Sequence, residues 1–182
     1  MQQNNFITWP DDAVKLYGIP EVQEAIADIA KDMTSLADSN PLVLPMMNGG
    51  LFFAGQLLPL LDFPLQCDYI HVTRYHETTS GSDLHWVRTP SQPLAGRTIV
   101  LLDDILDEGI TLESVTAYCK EQGAEKVVSA VLTRKERDGK PIASFEPDWW
   151  GLSLPDRYCF GCGLDYKGYW RNAAGLFALP AL

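Results

Sequence analysis

The sequence predicts an α/β fold: a mainly parallel sheet flanked by helices, with a small extra region built from the N-terminal segment and residues from about 145 to 182. Three observations carry this. Two stretches read strand, helix, strand with short turns between, the pattern of a parallel sheet covered on both faces. Apolar runs at 42–47, 99–102 and 126–133 are bounded by glycine, proline and polar residues, as buried strands require. With 182 residues the chain is about one domain, able to bury roughly 70% of its unfolded surface.

The elements follow in order. Pro20 sits where a helix starts, and Val22, Ala25, Ile26, Ile29, Met33 and Leu36 recur at helical spacing up to Ser39-Asn40-Pro41. Leu42-Val43-Leu44-Pro45-Met46-Met47 is a short strand, Asn48-Gly49-Gly50 a loop, and 51–58 a helix closed by Pro59. Residues 65–73, rich in strand formers, predict one strand. The polar run 74–83 buries little and predicts a long mobile loop, since loops beyond about 12 residues usually act as lids or binding loops. Trp86-Val87 joins a hairpin within it. Leu112, Val115, Cys119 and Gln122 form one apolar helical stripe ahead of a glycine cap at Gly123. A strand over 126–133, a loop over 134–140, a strand over 149–154 and a glycine-punctuated aromatic segment over 158–171 complete the chain. No repeat or linker divides it, so 1–182 reads as one domain.

Composition narrows the function. Against 24 acidic residues stand 14 Lys and Arg, a formal charge of -10, with no basic block to track a phosphodiester backbone, so nucleic acid is not an expected partner. Met1-Gln2-Gln3-Asn4-Asn5 lacks the basic and apolar regions of a secretory signal, and no apolar run is long enough to span a bilayer. A cytoplasmic enzyme or regulator is expected. Four cysteines fit reduced thiols better than a disulfide framework. Cys159 and Cys162 would supply half a tetrahedral zinc site, but His71, His76 and His85 lack the spacing to complete one.

The chemistry concentrates in Ile99-Val100-Leu101-Leu102-Asp103-Asp104-Ile105-Leu106-Asp107-Glu108-Gly109-Ile110-Thr111. A buried strand delivers Asp103 and Asp104 to the sheet edge, and the loop before Leu112 presents unpaired N–H groups at the positive end of a helix. Carboxylates beside an anion cradle suit a substrate carrying hydroxyls, a metal and a phosphate. An acidic loop is also common in α/β proteins of any function. The chain has no G-x-x-x-x-G-K-[ST], which removes a P-loop NTPase, and no G-x-G-x-x-G after a strand, which removes a dinucleotide fold.

Residues 99–111 resemble the phosphoribosyl-pyrophosphate motif of the type I phosphoribosyltransferases: four apolar residues, two acids, two apolar residues, Asp, a small residue (Glu108 here), Gly, any residue and Thr. The resemblance runs from about 42 to 179 and is closest to the hypoxanthine-guanine group, implying that family's fold with a core at about 42–135 and a hood from the N-terminal segment and about 145–182. It implies purine salvage, joining hypoxanthine or guanine to phosphoribosyl pyrophosphate to give IMP or GMP and pyrophosphate.

Roles follow by matching positions. Asp107 is the implied general base, Asp103 and Asp104 hold the ribose hydroxyls, and Asp107, Glu108, Gly109, Ile110 and Thr111 cradle the 5′-phosphate. Met47-Asn48-Gly49-Gly50 matches the pyrophosphate loop, so Asn48, Gly49 and Gly50 with Arg171 are implied to meet pyrophosphate. Lys135, Tyr158 and Cys159 fall on the purine-contacting positions, with Arg134 as the neighbour that competes with Lys135 for register. Arg74-Tyr75 matches the pair on the mobile loop. Mg²⁺ is implied, held near Asp165 with Asp103 and Asp104, and the assembly is implied to be a dimer or tetramer.

Three positions depart from the family pattern. Glu108 stands where Thr or Ser is usual, Asn48 where lysine is usual, and Asp103 where Glu is commoner. Two readings therefore compete with the first: a xanthine-preferring transferase, and a non-enzymatic nucleotide-sensing regulator of the same fold, which would have no need of Asp107.

Overall fold

The computed structural model describes residues 7–74 and 84–181. Its elements are β1 (Val14–Tyr17), α1 (Ile19–Asp32), β2 (Leu42–Met47), α2 (Gly50–Leu57), β3 (Gln66–Cys67), β4 (Ile70–Arg74), β5 (Leu84–Arg88), β6 (Thr98–Leu106), α3 (Ile110–Glu121), β7 (Lys126–Arg137), β8 (Lys140–Pro141), β9 (Trp149–Pro155), β10 (Cys159–Phe160) and β11 (Leu176–Ala178).

Alternation along the central strands sets the layers. Val43, Val100, Leu102, Ala130 and Leu132 face α1 and α2 in one core, while Leu42, Leu44, Ile99, Leu101 and Val131 face α3 in the other. Strands buried on both faces read as continuous apolar runs, as 99–102 does. Gly18 caps α1 and its N–H donates to Glu21 Oε2 at 3.0 Å, with Pro20 in the first turn. The α1 face carrying Val22, Ile26 and Ile29 is buried, so trimming Ile26 to Ala would cost about 2–5 kcal/mol.

Strands β4, β2, β6, β7 and β9 lie side by side in that order and run parallel, with β5 returning antiparallel on β4. Numbered by their place in the chain, the five parallel strands read 2-1-3-4-5, so the winding reverses between β2 and β6. In such sheets ligands bind at the carboxyl ends of the strands at that reversal. Asn48 follows β2 there, and Asp103 and Asp104 lie near the end of β6.

Two expectations need correction. The strand expected over 65–73 is broken: β3 pairs with the start of β2 and β4 with its end, and Asp68 at the break accepts hydrogen bonds from Arg88 at 3.0 Å and the Ser91 N–H at 2.6 Å. The loop expected over 134–140 is strand instead, because β9 pairs with β7 as far as Glu136. The strand then reverses into β8 through Asp138 and Gly139, both with positive φ (52° and 73°), which is the chemistry of a type I′ hairpin.

The hood is a separate three-stranded antiparallel sheet in the order β1-β11-β10, which joins the two ends of the chain. Trp9 closes it edge-on against Phe160 (5.1 Å), Trp170 (5.3 Å) and Phe177 (4.7 Å). Trp170 thus serves packing, and its Nε1 donates to the Thr8 carbonyl at 3.3 Å. Among the described residues no helix is long and apolar enough to cross a membrane.

Candidate active site

The reversal between β2 and β6 opens into a cavity of about 410 Å³, walled by residues 46–49, 71–73 and 103–107 together with Gly109, Thr111, Asp165 and Arg171. The sheet delivers the β6 acids to its floor. Asp104 is nearly buried, and Thr133 Oγ1, itself fully buried on β7, donates to the Asp104 carbonyl at 2.8 Å. Burial and the neighbouring carboxylate of Asp104 push Asp103 well above the usual carboxylate range, and burial pushes Asp104 upward too, against the pull of Arg171. Two adjacent acids that resist ionisation are a ready site for hydroxyl donors or a cation.

One wall is backbone on backbone. A Cβ on Gly49 would overlap the Asp104 carboxylate, so only glycine lets the loop after β2 approach the β6 acids. Gly163, at φ +108°, lies so close beneath this loop that a Cβ there would fall 2.6 Å from the Gly49 carbonyl. Gly50 is buried at the start of α2 and does not line the cavity. The peptide bond between Met47 and Asn48 is cis.

Opposite, Gly109 caps α3 at φ 85°, and Asp107, Gly109 and Thr111 line the cavity at the helix's positive end. Glu108 is exposed and, like Ile110, is not part of the lining, so its carboxylate does not stand in the cradle as the sequence alone suggested.

A second, smaller pocket of about 160 Å³ adjoins the first and shares Asp104, Ile105, Asp107 and Asp165 with it. Lys135, Tyr158, Cys159 and Leu164 complete it. Lys135 Nζ donates to Asp107 Oδ2 at 2.7 Å, whereas Arg134, on the other side of β7, stacks on Trp150 at 3.7 Å and pairs with Glu136 at 2.7 Å. Strand alternation thus brings Lys135, and not Arg134, to the lining of this pocket. Tyr158 is 48% exposed and packs edge-on against Tyr166 at 5.7 Å. Burial pushes the Cys159 thiol up to about 11, so it is an apolar wall here and not a nucleophile.

Arg171 ties the hood to the core. It donates to the Gly163 carbonyl at 2.6 Å, pairs with Asp165 Oδ1 at 2.7 Å and lies 3.6 Å from Asp104 Oδ2. Asp165 is anchored again by the Gly168 N–H at 2.7 Å. Asp103, Asp104 and Asp165 share the wall, yet among the described residues no three His, Cys, Asp or Glu side chains converge on one point as a protein-only metal cage. Arg74 ends β4, and Tyr75 lies outside the described residues. Motif spacing does not point to His71, Thr73 or Thr133 as residues near this cavity. For His71 and Thr73 the signal was strand alternation, which turns them away from the buried Ile70 and Val72.

The match that decides the family covers residues 14–167, which fit the model of the phosphoribosyl transferase domain. The chain belongs to the phosphoribosyltransferase family. It is 29% identical over 154 residues to the hypoxanthine-guanine phosphoribosyltransferase of Streptococcus pneumoniae, covering 84% of each chain. With the hypoxanthine-guanine phosphoribosyltransferase of Lactococcus lactis it shares 31% over 134 residues, 73% of this chain and 72% of that one. Among solved structures, a hypoxanthine-guanine-xanthine phosphoribosyltransferase superposes with a TM-score of 0.81 at 26% identity, over 93% of this chain and 98% of that one. The hypoxanthine phosphoribosyltransferase of Trypanosoma cruzi in complex with IMP superposes with a TM-score of 0.82 at 20% identity, over 96% and 98%, a likeness of fold.

Proposed function

We propose that this phosphoribosyltransferase works in purine salvage, transferring the phosphoribosyl group of phosphoribosyl pyrophosphate to hypoxanthine or guanine to give IMP or GMP and pyrophosphate. The observation that carries this is the Lys135–Asp107 pair, 2.7 Å apart, at the junction of the acidic cavity and the small pocket walled by Tyr158.

The roles divide by geometry. Asp103 and Asp104 accept hydrogen bonds from the ribose hydroxyls and meet positive charge developing on the sugar as pyrophosphate departs. The first amides of α3, with Thr111, receive the 5′-phosphate. In the small pocket the base stacks on Tyr158 against Leu164. Lys135 donates to its 6-oxo group, favouring a 6-oxopurine over adenine, whose amino group cannot accept. Asp107 takes the ring proton that the purine sheds as its nitrogen attacks, a role worth typically 10²- to 10⁴-fold. Asn48, Gly49 and Arg171 face the departing pyrophosphate.

The donor set also fits magnesium. Mg²⁺ takes one or two carboxylates and completes its shell with substrate oxygens and water, and Asp103, Asp104 and Asp165 on one cavity wall offer that set without a closed cage. Bound there, the ion would neutralise charge on the leaving pyrophosphate.

Leu51 on α2 is 61% exposed and Leu60 just beyond it 49%, and these exposed apolar side chains support a dimer or larger homo-oligomer. A cytoplasmic location is consistent with salvage of free bases. The test is pyrophosphate release from phosphoribosyl pyrophosphate and Mg²⁺ with hypoxanthine, guanine, xanthine and adenine in turn. Turnover with hypoxanthine and guanine, and little with adenine, is expected. Turnover with xanthine alone makes it the xanthine-preferring enzyme, and turnover with none removes the proposal in favour of the nucleotide-sensing regulator.

A further inference from the structure

We propose that His71 is a pyrophosphate-binding residue, adding an imidazole N–H contact to the leaving group beside the Met47-Asn48-Gly49-Gly50 loop, which carries no Lys or Arg; this rests on the phosphoribosyl-transfer reading above. The charge balance of the cavity motivates it. Asp103, Asp104, Asp107 and Asp165 place four carboxylates around a space that must accept one of the most highly charged leaving groups in metabolism, and Arg171 is the one Lys or Arg among the described residues lining it. Arg171 is already engaged with the Gly163 carbonyl, Asp165 and Asp104. The loop itself brings only the neutral Asn48.

His71 is in the right place to make up the difference. It pairs with Met47 across the parallel β2–β4 ladder, one residue before Asn48, and it lines the same cavity. Its neighbours Ile70 and Val72 are buried in the core beneath α3, so the alternation of β4 keeps His71 out of that core, half-buried. Among the described residues, the guanidinium nearest His71 on the neighbouring strand is committed elsewhere. Arg88, which faces His71 across the β4–β5 ladder, pairs with Asp68 at 3.0 Å and stacks on Tyr69 at 3.7 Å. His71 therefore offers a donor beside Asn48 where an anion leaving the ribose acids would pass, and a hydrogen bond to a charged phosphate oxygen is among the stronger kinds.

The test compares wild type with His71→Ala, His71→Arg and the double variant His71→Ala/Asn48→Lys. KM for phosphoribosyl pyrophosphate, KM for hypoxanthine and inhibition by pyrophosphate are measured, together with calorimetric titration of inorganic pyrophosphate in the presence of Mg²⁺. His71→Ala is expected to weaken phosphoribosyl pyrophosphate and pyrophosphate about tenfold, the scale of one charge-assisted hydrogen bond, and to leave KM for hypoxanthine within about twofold. His71→Arg, and Asn48→Lys on the Ala background, should restore most of the loss, which a purely structural histidine would not allow. Pyrophosphate affinity within about twofold of wild type in His71→Ala overturns the inference. Should Ala lower the melting temperature, His71→Leu keeps the strand and carries the same thresholds. If wild type forms no nucleotide from any base, the transfer reading fails, while the pyrophosphate titration still decides His71 on its own.

Discussion

Lys135 Nζ and Asp107 Oδ2 are hydrogen-bonded at 2.7 Å across the gap between β7 and the loop after β6. One side chain is implied to hold the 6-oxo group and the other to take the ring proton, so a 6-oxopurine in the small pocket meets both partners at once. Asp107→Asn keeps the shape and an acceptor but removes the base. Steady-state kinetics should show kcat falling about 10²- to 10⁴-fold with KM for phosphoribosyl pyrophosphate nearly unchanged. A kcat within a few fold of wild type would remove Asp107 from that role.

Lys135→Met tests the other half. Losing the donor to the 6-oxo group should raise KM for hypoxanthine and guanine by roughly tenfold to a hundredfold and narrow the preference over adenine. Arg134→Met, on the far side of the strand, should instead lower thermal stability with little change in base preference, since its partners are Trp150 and Glu136.

The buried acid pair should give the protein an unusual pH dependence. A carboxyl whose folded-state value lies above its unfolded value binds more protons when folded, so folding loses stability as pH rises from the ordinary carboxylate range, near 4, through the raised value. Asp103→Asn removes that penalty. Its melting temperature near neutral pH should exceed wild type by about 2–4 °C, the gain should disappear at pH 3–4, and activity should collapse. A melting temperature below wild type at neutral pH would show that the pair is already compensated.

Gly49→Ala places a methyl group on the Asp104 carboxylate. Either the loop shifts or the acid does, so KM for phosphoribosyl pyrophosphate should rise sharply even where circular dichroism reports a folded chain. Gly55→Ala makes the control, as a Cβ there meets nothing within 4 Å and removes a helix glycine worth about 1 kcal/mol.

The sequence was informative where function is local. Residues 99–111 form strand, loop and helix in one stretch, so their chemistry is readable without knowing the rest of the fold. Lys135 was placed in a loop because Arg134 to Lys140 is polar, yet Asp138-Gly139 is a hairpin signal that extends β7 and fixes which way Lys135 faces. The hood could not be read in detail because it is non-local: Trp9 meets Phe160, Trp170 and Phe177 only after both ends of the chain converge. The motif spacing puts Glu108 in the phosphate cradle, whereas in the fold it is exposed and outside the cavity lining.

The contact of Gly163 with the Gly49 loop divides what natural variation can change. Neither loop has room to gain a side chain, and the chain passes one against the other from opposite ends of its length. Drift in these segments is therefore filtered out whichever base the protein uses. Tyr158, half open to solvent at the small pocket, has no such restriction. A change at Tyr158 can therefore reshape the small pocket without disturbing the backbone contact between Gly49 and Gly163.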